Sequence, residues 1–412
     1  MSELKYWLWL TSRRGASRQG LMELLSHFGT PESAYFADRQ AYEQLGGLPE
    51  AARRSLEEKS LAGVDKILGD CDRLGIRIMT IQDAIYPARL RAIHQPPLVL
   101  YWKGREIAVD EEAAVAVVGT RTATPYGVRM AGQLGLDLTR AGALVVSGIA
   151  EGIDAAAVRG ALKAGGPVIS VLGGGIDVVY PRSHRDLFAD VAAAGALVSE
   201  YPPGTETRGS HFPVRNRIIS GLALGVVAVE SPRTGGSLIT AGHALDQDRE
   251  VFAVPGPVDA PNSVGTDRLI QEGAAKLIFD AGDVLCEFAD RFPERFGRAV
   301  PLPEEAREQR LESRSSAPGR RSAAPDPEQK ELDDPVNLEY IDWKDYKNKL
   351  TDDQRDILLA LERGPQVADD LVERTQIPAR RVLAALTILQ VQGFVAEESG
   401  KRFRALVRLK IE

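Results

Sequence analysis

The sequence predicts an α/β protein built on a doubly wound, mostly parallel sheet, with a small helical region in front and a winged helix behind. Three observations carry this. Six short apolar runs alternate with amphipathic stretches between residues 76 and 290, the pattern of strands buried on both faces and joined by crossover helices. Residues 1–75 repeat apolar side chains at helical spacing. Residues 349–412 read as three helices closed by a hairpin.

In the front region, Leu21, Leu24, Leu25 and Phe28 fall on one helical face. Gly29-Thr30-Pro31-Glu32 breaks that helix and starts another, with proline in its first turn. Leu45-Gly46-Gly47-Leu48-Pro49 is similar to a helix-hairpin-helix turn, whose N–H groups can hold DNA phosphates. A helical cap that only packs is the other reading.

The six strands are expected at Ala114–Val118, Leu144–Val146, Val168–Leu172, Leu197–Val198, Val226–Val229 and Val251–Val254. Each closes on glycine, proline or a polar residue, where an open α/β sheet binds its ligands. Residues 291–348 lose the pattern to Pro, Ser, Ala and mixed charges, and read as a flexible linker. In the last region Thr351 and Gln354 form a capping-box signature. Val382, Leu386 and Leu389 mark the buried side of a third helix after Pro378, and a hairpin turns at Ser399-Gly400.

A chain of 412 residues holds about two to four units. A net charge of -7 argues against a wholly basic nucleic-acid binder but permits a local basic groove. Cys71 and Cys286, far apart, suit a reducing compartment and exclude a cysteine zinc site. No apolar run approaches the ~18 residues that span a bilayer. The apolar start Tyr6–Leu10 is too short for a signal peptide. The expectation is a cytoplasmic protein with no membrane contact and no cofactor.

The chemistry-bearing residues lie in loops after strands. Gly119-Thr120-Arg121 follows the first strand. Arg121 suits a bidentate phosphate contact, and the helix opening at Pro125 aims its positive end at the same place. Gly148 and Gly152 lie in the second loop, with Asp154 as a helix cap. Gly173-Gly174-Gly175 removes every Cβ from the third, and Arg182 adds a charge nearby. Arg215-Asn216-Arg217 stands before an apolar run, and Gly235-Gly236-Ser237 follows the next strand. An ion pair of one arginine with Glu200 or Glu230 is the competing reading.

No P-loop, H-E-x-x-H or G-x-S-x-G occurs. His211 has no nucleophile paired with it in sequence, so it reads as structural or as a phosphate donor. Glu200 and Glu230 could form a carboxylate pair for glycosidic chemistry. Holding a polyphosphate backbone is the better reading.

These motifs, in order, resemble the DNA-processing protein A (DprA/Smf) family of recombination mediators. The resemblance rests on VVGTRTATPYG (117–127), SGIAEGIDAAA (147–157), VLGGGIDVVYP (171–181), SEYPP (199–203), HFPVRNRIISGL (211–222), GGSLITA (235–241) and EVFAVPG (250–256). It implies an extended Rossmann fold at 76–290, a SAM-like helical domain at 1–75 and a winged-helix domain at 349–412. It also implies a non-enzymatic protein that binds single-stranded DNA without sequence preference, forms a homodimer and loads the RecA recombinase in natural transformation. The phosphate-binding positions it implies are Arg121, Arg182 and Arg215-Asn216-Arg217. Thr120 stands where the family usually has serine, Val158 where it commonly has histidine, and Asp248-Arg249 where it commonly has Gly-Arg.

The resulting DNA-binding set is Gly119, Thr120, Arg121, Gly148, Gly173, Gly174, Arg182, Arg215, Asn216, Arg217, Gly236 and Ser237. A nucleotide-processing enzyme of phosphoribohydrolase type is the alternative. A transcription factor would instead use Arg380 and Arg381 of the winged helix.

Overall fold

The computed structural model describes residues 2–296, 339–342 and 350–410, apart from 363, 365, 392–393 and 399–401. Most of the expected linker, and Gly393 and Ser399-Gly400, lie outside the described residues. The chain divides into two compact units, Met1–Ser316 and Ala317–Glu412.

In the first unit nine strands form one sheet among the described residues: β1 Arg77–Thr80, β2 Val99–Gly104, β3 Ala114–Val118, β4 Leu144–Ser147, β5 Val168–Leu172, β6 Ala196–Ser199, β7 Gly225–Ala228, β8 Glu250–Ala253 and β9 Lys276–Leu277. Their order is β1-β2-β6-β5-β4-β3-β7-β8-β9. All neighbours from β6 to β9 are parallel, while β1 and β2 are antiparallel additions at one edge. The six expected strands are β3 to β8, and the short β9 extends their parallel run by one. The added edge escaped the sequence reading because Val99–Gly104 ends in Trp-Lys-Gly rather than in a glycine loop.

Strand β3 shows why these residues form a central strand. Val115 and Val117 enter one apolar core, and Ala114, Ala116 and Val118 enter the other. Both faces are covered, as a parallel sheet requires. The order reverses beside β3: the chain runs β3 to β6 one way, then returns to place β7 on the other side. Such a switch point opens a crevice at the strands' carboxyl ends.

The front helices, from Ser2–Thr11 to Ala62–Leu74, share one apolar core with the sheet. Thr30 caps Pro31–Phe36, as the sequence indicates. At the hairpin-like turn a Cβ on Gly47 would lie 2.8 Å from Glu23 Oε2, and Glu50 opens the next helix. Two carboxylates at that turn favour the packing reading over a phosphate contact. Pro293–Phe296 is a further helix, with Phe296 buried.

In the second unit, helices Asp352–Leu361, Ala368–Thr375 and Ala379–Val391 enclose a core that includes Ile357, Leu371, Leu386 and Phe403. Thr351 and Gln354 complete the capping box. Strands β11 Gln366–Val367, β12 Val395–Glu398 and β13 Arg402–Ala405 form the wing, and β10 Glu339–Asp342 pairs in parallel with β14 Val407–Lys410. Arg381 is held by Asp353 through two bonds of 2.7 and 2.8 Å. One of the two arginines expected to read a duplex is thus engaged within its own unit.

Helices Pro125–Arg140 and Ile153–Lys163 approach closely through glycines. A Cβ on Gly135 would lie 2.1 Å from the Ala157 carbonyl, and one on Gly160 2.1 Å from that of Gly132. Backbone cannot yield as a side chain does. Gly160→Ala therefore costs roughly 1–3 kcal/mol by overpacking, read as a lower urea midpoint at unchanged m-value.

Candidate nucleic-acid interface

A cleft of about 510 Å³ opens at the carboxyl ends of β3 and β7. Gly119, Thr120 and Arg121 from the loop after β3 form one wall, and Gly235, Gly236 and Ser237 form another. Helix His211–Leu222 presents Phe212, Arg215, Asn216 and Ile219. Those four recur at i, i+3, i+4 and i+7, so they share one face.

Arg215 is the central group. It is 5% exposed, and its Nε and Nη1 are buried without a hydrogen-bond partner. Burial pushes its guanidinium down to about 10, with Asp154 opposing that shift and Arg121 adding to it. It remains charged at neutral pH. Arg121, exposed at the rim, lies 4.2 Å from the Phe212 ring centroid, and Arg215 lies 5.7 Å from it. Both guanidinium groups lie within the range at which an aromatic ring attracts a cation. Tyr180 lies 5.6 Å from Phe212, centroid to centroid, and also lines the cleft.

Asp154 faces Arg215. Burial pushes its carboxyl up, against the pull of Arg215, of Arg121 and of hydrogen bonds with the backbone at Ala150 and Ile149. It therefore holds the loop before its helix and does not cap that helix, whose start has no side-chain cap. Asn216 Nδ2 donates to the Gly236 carbonyl at 3.1 Å, joining two helices instead of ordering its own loop. Ser237 Oγ bonds Ser231 Oγ at 2.8 Å, which turns the hydroxyl inward and leaves the backbone toward the cleft. In the first turn of helix Gly236–Asp246 the Leu238 N–H donates to the Gly235 carbonyl at 3.1 Å, whereas the N–H groups of Gly236 and Ser237 have no intrahelical acceptor.

Several expected residues fall elsewhere. Arg217 points away from the cleft, because two residues along a helix turn the side chain to the opposite side. Its Nη2 donates to Glu200 Oε1 and Oε2 at 2.7 and 2.8 Å. Arg182 is exposed on a short 3-10 turn and does not line the cleft. Gly148 is not a ligand wall: its Cβ would meet Asp154 Oδ2 at 2.1 Å and Arg215 Nη1 at 2.6 Å. Gly173 and Gly174 border a separate 20 Å³ space and are approached by the protein's own Phe212 and Thr207.

The helix end at Pro125 is also occupied. Glu230 accepts from the Thr124 N–H at 2.9 Å and from its hydroxyl. Glu200 is held by Arg217 and by Arg18. The two carboxylates proposed as a glycosidic pair are thus both committed to the scaffold. His211 Nδ1 lies 2.9 Å from the Gly173 carbonyl, and its ring stacks on Tyr201 at 4.3 Å, a structural role. Among the described residues no group of three or more His, Cys, Asp or Glu could hold a metal. No helix there is long and apolar enough to cross a membrane.

Sequence reading missed Arg208, Thr207, Tyr180 and Phe212, all of which line the cleft. Phe212 was findable, three residues before Arg215 on a helical face. Arg208 and Thr207 were not, since the loop after β6 carries no periodic signal.

Residues 77–289 match the family described as DNA recombination-mediator protein A, and 345–401 match the DprA winged helix domain. Protein Smf of Synechocystis sp. is 31% identical over 423 residues, covering 98% of this chain and 99% of that protein. DNA processing protein DprA of Bacillus subtilis is 40% identical over 241 residues, 58% of this chain and 81% of that protein. The X-ray structure of DNA processing protein A from Streptococcus pneumoniae superposes with a TM-score of 0.62 at 32% identity, over 69% of this chain and 97% of that one.

Arg215 is also the cation that faces the buried Asp154 carboxyl. Arg215→Met leaves that carboxyl without its counter-charge and should lower stability by about 3 kcal/mol in urea unfolding. It should also abolish any thermal shift that oligo-dT gives the wild-type protein.

Proposed function

Because the chain belongs to the DNA recombination-mediator protein A family, we propose that its cleft binds single-stranded DNA through the phosphate backbone, without reading sequence. The observation that carries this is Arg215, a buried guanidinium whose Nε and Nη1 lack any acceptor. Such a group calls for an anion, and phosphate oxygens match its planar donors. Arg121 and Arg208 at the cleft supply further cations. Tyr180, exposed at the cleft, provides a ring face on which any base can stack, which favours an unpaired strand over a duplex.

In this reading phosphates are held by Arg121, Arg215, Arg208 and the N–H groups at Gly236 and Ser237. No step of covalent chemistry is assigned to the site. The bound strand is then passed to a RecA-type recombinase by a homodimer in the cytoplasm. Filament formation by RecA on oligo-dT coated with single-strand-binding protein tests that part. It should speed up with the wild-type chain and not with Arg215→Ala.

Binding itself is tested by anisotropy titration of labelled oligo-dT. Arg121→Ala and Arg215→Ala should each weaken it by up to ~3 kcal/mol, and each should lower the salt slope by about 0.7. Arg182→Ala should change it by less than about 0.5 kcal/mol. Unchanged affinity in Arg215→Ala would sink the reading, as would turnover of a nucleotide panel by the purified protein.

A further inference from the structure

The side of helix His211–Leu222 turned away from the cleft carries a charge arrangement that binding does not use. Glu200, one residue beyond β6, takes both of its oxygens to Arg217. The same carboxylate receives Arg18 Nε at 3.0 Å and Nη2 at 2.8 Å from the helical front of the chain. Next to it, Tyr201 stacks on His211 at 4.3 Å with an interplanar angle of 17°. The helix is therefore gripped at its first turn and again six residues later, from one dipeptide.

We propose that Glu200 and Tyr201 form a clamp of positioning residues that sets the register of this helix and so aims Arg215 into the cleft. The inference rests on the single-strand reading of that cleft. Arg215 fits a slot with no slack: even the Cβ that Gly148 lacks would lie 2.6 Å from its Nη1. A shift of the helix by a fraction of that distance moves the guanidinium into the wall or out of reach of a phosphate. Arg217 is itself buried, with Nη1 unpaired, and Glu200 is its ion-pair partner. Burial pulls the Arg217 guanidinium down from its ordinary range, and Glu200 acts against that. A buried charge that loses its partner moves or takes in water. Arg18 brings the front helices into the same junction, which gives that region a mechanical path to the cleft without touching the strand.

A double-mutant cycle on the full chain tests this, with labelled oligo-dT as the probe and circular dichroism to verify folding in the same buffer. Glu200→Gln should weaken binding by about tenfold, and Tyr201→Ala, at a half-buried position, by about threefold. Each should add less than about twofold to the loss in Arg215→Ala, because with Arg215 gone there is nothing left to aim. A residue that only stabilises the fold would lower the melting temperature and leave the affinity of folded protein unchanged. Losses that multiply with Arg215→Ala, or full affinity in both clamp variants, overturn the clamp while the single-strand reading stands. Full affinity in Arg215→Ala overturns both.

Discussion

A guanidinium buried without hydrogen-bond partners is the constraint on which the site depends. Taking a charge out of water is costly, and each unmet donor adds to the cost. Arg215 persists in that state because the scaffold leaves it no alternative. Its helix is pinned on the far side by Glu200 and Tyr201, its slot is shaped by Gly148, and Asp154 offers a counter-charge whose own carboxyl burial pushes up.

The same logic explains how the carboxylates are distributed. Glu230 accepts from the N–H and hydroxyl of Thr124, the residue that caps the helix at Pro125, and Glu200 neutralises the arginines behind the cleft. Each is taken up by scaffold donors. Three arginines, Arg121, Arg208 and Arg215, line the opening against one carboxylate, the buried Asp154, although the whole chain carries a charge of -7. Net charge says little about a site when the fold sorts charges to this degree.

Glycine has two uses here that look alike in a sequence. At Gly236 the backbone borders the opening. At Gly152 and Gly174 the missing Cβ makes room for the protein itself: the Thr120 carbonyl and the Thr207 hydroxyl. Loop stacks on loop at the mouth of the sheet, and this close nesting fixes where Arg121 emerges. A glycine-rich loop after a strand therefore marks the ligand end of the sheet without marking the ligand wall.

Periodicity alone determined the sheet's parallel core, the flanking helices and the capping box at Thr351, because those features depend on residues near each other in the chain. The Gly-Thr-Arg and Arg-Asn-Arg motifs were placed at the carboxyl end of the sheet for the same reason. Tertiary structure decided which of those arginines reaches the cleft. Arg215 and Arg217 are two apart and chemically identical, and a helical turn sends one to the opening and the other to Glu200. Arg182, Arg208, Tyr180 and the glycines of the third loop were likewise sorted by contacts between distant loops, since a side chain's surroundings are set by what the fold brings beside it.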